Sequence, residues 1–229
     1  MNTICRKMAL AGAVAMASLF VSAPAEASSI ILNGSFENNT AIGTLFNMPN
    51  ATFDATVANA TAFGTAEEID LVTSTDFGIT PQDGNWKLGL HTQDPLYGGF
   101  QDAFSLSLST GIVGGASYAL SFYGALVQGD PAGTIQIGVS NSATSFGTLI
   151  FIASPFYTSQ WDQFTNNFVA PSNASFLTVR TDPFQGYAFV DNFTLDPLSP
   201  APVPEPATLT LLGVGLATIA LKLRRRGRA

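Results

Sequence analysis

From residue 28 to residue 196, apolar side chains alternate with polar ones or come in short runs, and Gly, Asn, Asp, Ser or Pro interrupts them roughly every ten residues. Ser117–Ala125 (SYALSFYGA), Gly133–Ser140 (GTIQIGVS) and Ala174–Thr181 (ASFLTVRT) keep a period of two. That period belongs to strands with one buried face. Phe, Thr, Val, Ile and Tyr fill these runs, as a pleated, half-buried surface favours. Gly98-Gly99 and Gly114-Gly115 read as turns. No stretch repeats apolar residues at helical spacing convincingly. The pattern predicts a single all-β domain of many short antiparallel strands, a sandwich or a barrel. Asn38–Ile69 is rich in Ala, Thr and Asn and patterned more weakly, so it predicts one or two strands with long loops, or a short helical insert.

The two ends follow other rules. Arg6 and Lys7 precede an apolar run from Met8 to Val21, and Ala25-Glu26-Ala27 supplies small residues at the cleavage positions. This order describes a secretory signal peptide over residues 1–27, cut after Ala27. Cys5 would leave with it, so the exported chain is expected to use no disulfide. At the other end, residues 197–206 (PLSPAPVPEP) hold five prolines and form an extended spacer rather than a strand. Ala207–Leu221 is an apolar run of 15 residues, about 22 Å as a helix against a hydrocarbon core of roughly 30 Å. Residues 207–229 thus predict one short C-terminal transmembrane helix, with Arg224, Arg225, Arg226 and Arg228 on the cytoplasmic side and the 28–196 domain outside.

Removing the ends changes the charge. Of nine basic residues only Lys87 and Arg180 lie within 28–203, whereas 14 of the 16 acidic residues do, all but Glu26 and Glu205. A body with net charge near −12 repels polyphosphate, which argues against nucleic acid as a partner. Acidity of this kind suits calcium or neutral sugars, or simply keeps a Lys-poor exported protein soluble.

Little in the sequence supports catalysis. His91 is the only histidine, reads as a loop residue beside a turn, and has no G-x-S-x-G elbow to serve. Glu67-Glu68-Ile69-Asp70 is the densest acidic cluster, but adjacent carboxylates in a polar segment are ordinarily solvated. Glycoside hydrolysis needs two carboxylates facing each other, which one sequence does not reveal. The aromatic residues offer binding chemistry instead, because sugar rings stack their C–H faces on Trp and Tyr while polar neighbours fix orientation. Trp86, Tyr97, Gln101 and Trp161 are the residues expected to form such a surface, with Tyr97 the preferred exposed ring. Core burial is the competing role for both tryptophans.

Five stretches fall in a recognisable order: Ile31–Glu37 (ILNGSFE), Asp83–Leu90 (DGNWKLGL), Gln101–Phe104 leading to Gly115–Phe122 (GASYALSF), Trp161–Phe164 (WDQF) and Tyr187–Phe193 (YAFVDNF). Together they resemble the galactose-binding-like jelly rolls, the fold of many carbohydrate-binding modules. The resemblance implies an antiparallel β-sandwich of jelly-roll type whose first and last strands lie close together. It also implies a structural calcium between them, with Glu37 and Asp191 supplying carboxylate oxygens. Two carboxylates make a thin set for an ion that takes 6–8 oxygens.

Val203-Pro204-Glu205-Pro206, the Gly-containing apolar run and the terminal arginines resemble the PEP-CTERM sorting signal of Gram-negative bacteria. That resemblance implies an exosortase as partner, reading Pro204-Glu205-Pro206 while the chain passes through the inner membrane. It further implies a destination at the cell surface or in extracellular polysaccharide and biofilm matrix. The expected protein is therefore exported and non-catalytic, binding exopolysaccharide. The alternatives are a structural matrix protein that binds no specific glycan, and a polysaccharide hydrolase.

Overall fold

The computed structural model describes residues 28–92, 99–127, 134–155, 160–182 and 186–198. The signal peptide with Ala27, the loop residue Tyr97, most of the Pro-rich spacer and the whole sorting segment lie outside them.

Strands form where the sequence alternates. The described residues contain β1 (Leu45–Met48), α1 (Asn50–Thr56), β2 (Ala60–Ala62), β3 (Ile69–Thr73), β4 (Trp86–Thr92), β5 (Ala103–Ile112), β6 (Ser117–Leu126), β7 (Ile135–Ser140), β8 (Thr148–Ala153), β9 (Asp162–Val169), β10 (Ala174–Thr181) and β11 (Gly186–Pro197). They build two antiparallel sheets, a six-stranded one in the order β1-β3-β4-β11-β6-β9 and a five-stranded one in the order β2-β5-β10-β7-β8. The domain is thus an all-β sandwich of the jelly-roll kind. Asn38–Ile69 contains both of the elements its weak pattern left open, two short strands with α1 between them.

Period two decides what enters the core. On β6, Tyr118, Leu120, Phe122 and Leu126 face inward, and on β4 Leu88 and Leu90 do the same. Their partners from the second sheet include Phe104, Leu106, Ile137, Leu177 and Val179, all buried. Phe36, Phe104, Phe122 and Phe193 meet near the centre, with Phe122 and Phe193 stacked 4.9 Å apart. Each ring removes a large apolar area from water, so this cluster is a major source of cohesion.

The opening ILNGSFE does not form the expected first strand. Asn33 is buried and its side chain captures the segment: the Nδ2 group donates to Asn38 O and Ala58 O, while Oδ1 accepts the Asn38 N–H. Asparagine here offers the backbone an alternative to a sheet ladder. The segment instead laces the two sheets together. Ile30 N–H donates to Leu195 O and Phe193 N–H to Gly34 O, whereas Leu32 N–H donates to Ser107 O on the opposite sheet. Gly34 permits this approach, since a Cβ there would fall 1.9 Å from Phe193 O.

A second departure lies in β11. Strict alternation places Phe193 on the face of Asp191, yet Phe193 is buried in the core beside Val190. Asn192 adopts φ 51 and the pairing with β6 shifts between Asp191 and Thr194. This bulge turns the strand by one residue. Tyr187, Phe189 and Asp191 therefore point outward, and Phe193 and Leu195 point inward.

Candidate functional site

The outer face of the six-stranded sheet carries residues that an ordinary solvent face would not. Asp70 and Val72 on β3, Lys87, Gly89 and His91 on β4, and Tyr187, Phe189 and Asp191 on β11 share it by alternation and register. Val72, Ile79, Ala125 and Phe189 are buried there as a small second core, with Trp161, Val127 and Tyr187 packed against it. The strap of residues 74–85, between β3 and β4, provides its cover.

Polar groups on the sheet hold this strap by its backbone. Lys87 is fully buried, and its ammonium donates to Ile79 O at 2.8 Å, Ser74 O at 3.1 Å and Asp76 O at 3.4 Å, 4.8 Å above the Phe189 ring. Burial lowers its pKa to about 8, against the pull of Asp76 and Asp191. Asp191 is equally buried, and its Oδ2 accepts the N–H groups of Gln82 (2.8 Å) and Asp83 (3.1 Å) while Oδ1 accepts that of Asn192 (2.7 Å). Desolvation nevertheless raises its pKa to about 7. Glu37 takes the end of the strap, with Oε1 accepting Asn85 N–H (2.8 Å) and Trp86 N–H (2.9 Å) and Oε2 accepting Asn85 Nδ2 (3.3 Å).

Glu37 and Asp191 are therefore brought to one strap, where two carboxylates are a thin donor set for a calcium. Oε1 of Glu37 and Oδ2 of Asp191 each receive two N–H bonds while Oε2 and Oδ1 receive one each, so most of their acceptor capacity serves the protein. Among the described residues no group of three or more His, Cys, Asp or Glu gathers into a metal site. The pair fastens the strap at residues 82–83 and 85–86 through its backbone N–H groups.

Where the strap ends, a cleft opens. It encloses about 580 Å³ and is lined by Phe46, Asn47, Glu68, Asp70, Phe77, His91 and Tyr187. A smaller recess of about 210 Å³ adjoins it across Glu68 and His91, with Ala66 and Phe100 on its far side. Three rings form the main cleft. Phe77 stands between Phe46 at 5.9 Å and Tyr187 at 5.5 Å, and Tyr187 lies 5.2 Å from Phe189. Phe46, Phe77 and Phe100 remain 52 %, 45 % and 45 % exposed, unlike the aromatic residues of the core.

The cleft floor has a specific local cause. Gly89 lies opposite both Asp70 and Phe189, and a Cβ on it would meet the Tyr187 hydroxyl at 1.9 Å. Its missing side chain lets Tyr187 lie across β4 and donate to the Asp70 carboxylate. Asp70 also accepts Asn47 N–H at 2.6 Å, and burial raises its pKa. Beneath the corner, fully buried Asp102 accepts His91 N–H (2.8 Å) and Glu68 N–H (3.0 Å), with its pKa raised to about 6 by desolvation. His91 Nδ1 faces Glu68 Oε2 at 3.2 Å.

Backbone strain gathers here as well. Asn47 (φ 51), Glu67 (φ 56), Ser74 (φ 62) and Phe77 (φ 60) all hold left-handed conformations without being glycine. Asn47 and Phe77 line the cleft, and the other two sit close to lining residues in sequence. Such conformations cost on the order of 1–3 kcal/mol each and persist where surroundings enforce them, often at ligand-binding surfaces.

Of the residues expected from the sequence, Trp86, Gln101 and Trp161 fall outside the cleft lining, and Tyr97 lies outside the described residues. Trp86 opens β4, half-buried against the main core. Trp161 packs on the second core and donates its indole N–H to Thr80 O at 2.8 Å, so it secures the strap. Gln101 pairs with Thr92 and donates its N–H to Thr65 Oγ1, next to Phe100 at the recess but outside the cleft lining. His91 is a strand residue on the cleft, not a loop residue. Within the 67–70 cluster, whose adjacent carboxylates are ordinarily solvated, Asp70 is buried and bonded. The alternation Lys87-Leu88-Gly89-Leu90-His91 was the available signal that His91 points outward.

Comparison with known proteins adds a firm statement about the tail. Residues 202–226 match the PEP-CTERM protein-sorting motif. The tail is a sorting signal. It marks an exported protein of Gram-negative bacteria and implies processing by an exosortase. No curated protein sequence matches the chain. Among solved structures it is similar to TmCBM61 in complex with β-1,4-galactotriose, at 13 % identity and TM-score 0.46, covering 74 % of this chain and 99 % of that one. It is similar also to the CBM22-1 xylan-binding domain of Paenibacillus barcinonensis Xyn10C, at 16 % identity and TM-score 0.41, covering 77 % and 99 %. The K2 cleaved adhesin domain of Lys-gingipain matches at 16 % identity and TM-score 0.48, over 72 % and 97 %.

Proposed function

We propose that this exported domain binds carbohydrate, without catalysis, in the Phe46–Phe77–Tyr187 cleft. The observation that carries the reading is the set of partly exposed rings held against polar groups in one open groove. Sugar rings offer C–H faces to such aromatics, and Asn47, Glu68 and His91 stand ready to meet hydroxyls at the rim. Phe77 is held in a conformation that phenylalanine rarely adopts, by a strap fixed at several points. A site pre-set in this way spends less of its binding energy on ordering side chains.

Binding fits the carboxylates better than turnover does. Asp70 is engaged by Tyr187 and Asn47, and Asp102 by two backbone N–H groups beneath the surface. Glu68 is then the cleft carboxylate left facing solvent, and glycosidase chemistry needs two flanking the scissile bond. In the cell, the domain would leave the inner membrane after the exosortase has read Pro204-Glu205-Pro206, and act at the surface or in extracellular polysaccharide. A glycan array probed with the exported protein tests this, with Phe77→Ala as the control. Saturable binding that falls about tenfold or more in the variant, as for a central aromatic contact, is the expected outcome. Absence of saturable binding to any polysaccharide, or binding that Phe77→Ala leaves intact, would remove the proposal.

A further inference from the structure

Carboxylates outnumber bases around the cleft, where the His91 imidazole is the one basic group among the lining residues. Glu68 and Asp70 line it, and Asp102 lies immediately beneath Glu68 and His91. Between residues 28 and 198 the sequence holds two basic residues, Lys87 and Arg180. Neither serves the cleft: the Lys87 ammonium is buried against the carbonyls of the strap, and Arg180 lies on β10 in the other sheet, over the Phe146 ring at 3.9 Å. A uronate or sulfated glycan would thus enter a carboxylate-lined groove with no arginine or lysine to receive it. A carboxylate-rich wall whose one basic neighbour is the His91 imidazole disfavours an anionic ligand and draws in a cation.

We propose that the cleft takes a glycan bearing free amino groups, with a sugar ammonium paired to the half-exposed Glu68 carboxylate while its ring stacks on Phe77 and Tyr187. Asp70 and Asp102 already accept hydrogen bonds from the protein and burial raises both pKa values, so Glu68 is the carboxylate left to pair with the ammonium. Glu68 Oε2 lies 3.2 Å from His91 Nδ1, so the imidazole fixes where the carboxylate sits at the junction of cleft and recess. This inference rests on the carbohydrate-binding reading and adds the chemical class of the sugar.

The test uses the exported protein, titrated calorimetrically at pH 6 with hexamers of glucosamine, N-acetylglucosamine, glucose and galacturonate. The glucosamine hexamer is expected to bind about tenfold more tightly than its N-acetylated form, and the galacturonate hexamer to be weakest. Glu68→Gln should abolish the tenfold preference for the glucosamine hexamer over its N-acetylated form, even where it weakens every hexamer by removing a contact to sugar hydroxyls. Equal affinity for the glucosamine and N-acetylglucosamine hexamers overturns the inference. So does a preference that survives Glu68→Gln, since that would trace to attraction by the acidic body as a whole. If neutral hexamers bind in a Phe77-dependent manner without any advantage for the amine, carbohydrate binding stands and the amine-selective site falls.

Discussion

Replacing Lys87 by methionine separates the strap from the sheet with little change in volume. The ammonium makes three hydrogen bonds to carbonyls of residues 74–79 and stands over Phe189. Hydrogen bonds from a charged donor contribute roughly 1.5–3 kcal/mol each, and the two longer ones fall at the low end, so together they supply about 5 kcal/mol. These figures are already net of desolvation, so Lys87→Met is expected to lose up to about 5 kcal/mol. For a domain of this size that lowers the melting temperature by roughly 10–20 °C at most. Because the damage is local, amide hydrogen exchange should speed up in residues 74–85 before it changes in β6 or β10, and the Phe77 wall of the cleft should loosen with it. A variant that melts within 1 °C of the parent and exchanges normally in the strap would refute the role assigned to Lys87.

Other outcomes follow from the same geometry. Asp191 and Asp102 have folded pKa values raised to about 7 and about 6 from 3.8, so the stability they allow is fully present below pH 4 and is lost as pH rises to about 7. The upper bound on that loss is roughly 7 kcal/mol. Thermal melts should therefore be higher at pH 5 than at pH 8, and the reverse order would contradict the burial of these carboxylates. Gly89→Ala forces the Tyr187 ring off Asp70, and should lower stability by about 1–3 kcal/mol while removing ligand binding, read by melting and titration together. Chelator should leave the melting temperature unchanged, because Glu37 and Asp191 bond to backbone N–H groups; a clear drop in the presence of EDTA would restore the calcium expected from the sequence.

Much of the scaffold was legible because its logic is local. Alternation in Ser117–Ala125 and Ala174–Thr181 marks β6 and β10 almost to the residue. The opening ILNGSFE was misleading for an equally physical reason. Its buried asparagine satisfies backbone groups from residues 38 and 58, partners that no local window includes. The cleft was harder still. Its walls come from residues 46, 68, 77, 91 and 187, joined by strand order and by a strap whose anchors are distant in sequence. Phe46 and Phe77 are two among 18 phenylalanines, and composition does not distinguish a ring in the core from one on a rim. Tryptophan drew attention because it stacks well on sugars, but Trp161 spends its indole N–H on Thr80.

Strand β11 gives the molecule a direction. Tyr187 stands near its start, and Pro197 ends it ten residues later, a distance of about 30 Å along the strand. The sorting motif begins five residues beyond Pro197, at residue 202, and the polypeptide enters the domain beside that same end, where Ile30 pairs with Leu195. Ile30 and Pro197 thus mark one pole of the domain while Tyr187 of the cleft lies toward the other. A tether attached at that pole would hold the groove about a strand's length away from its point of attachment.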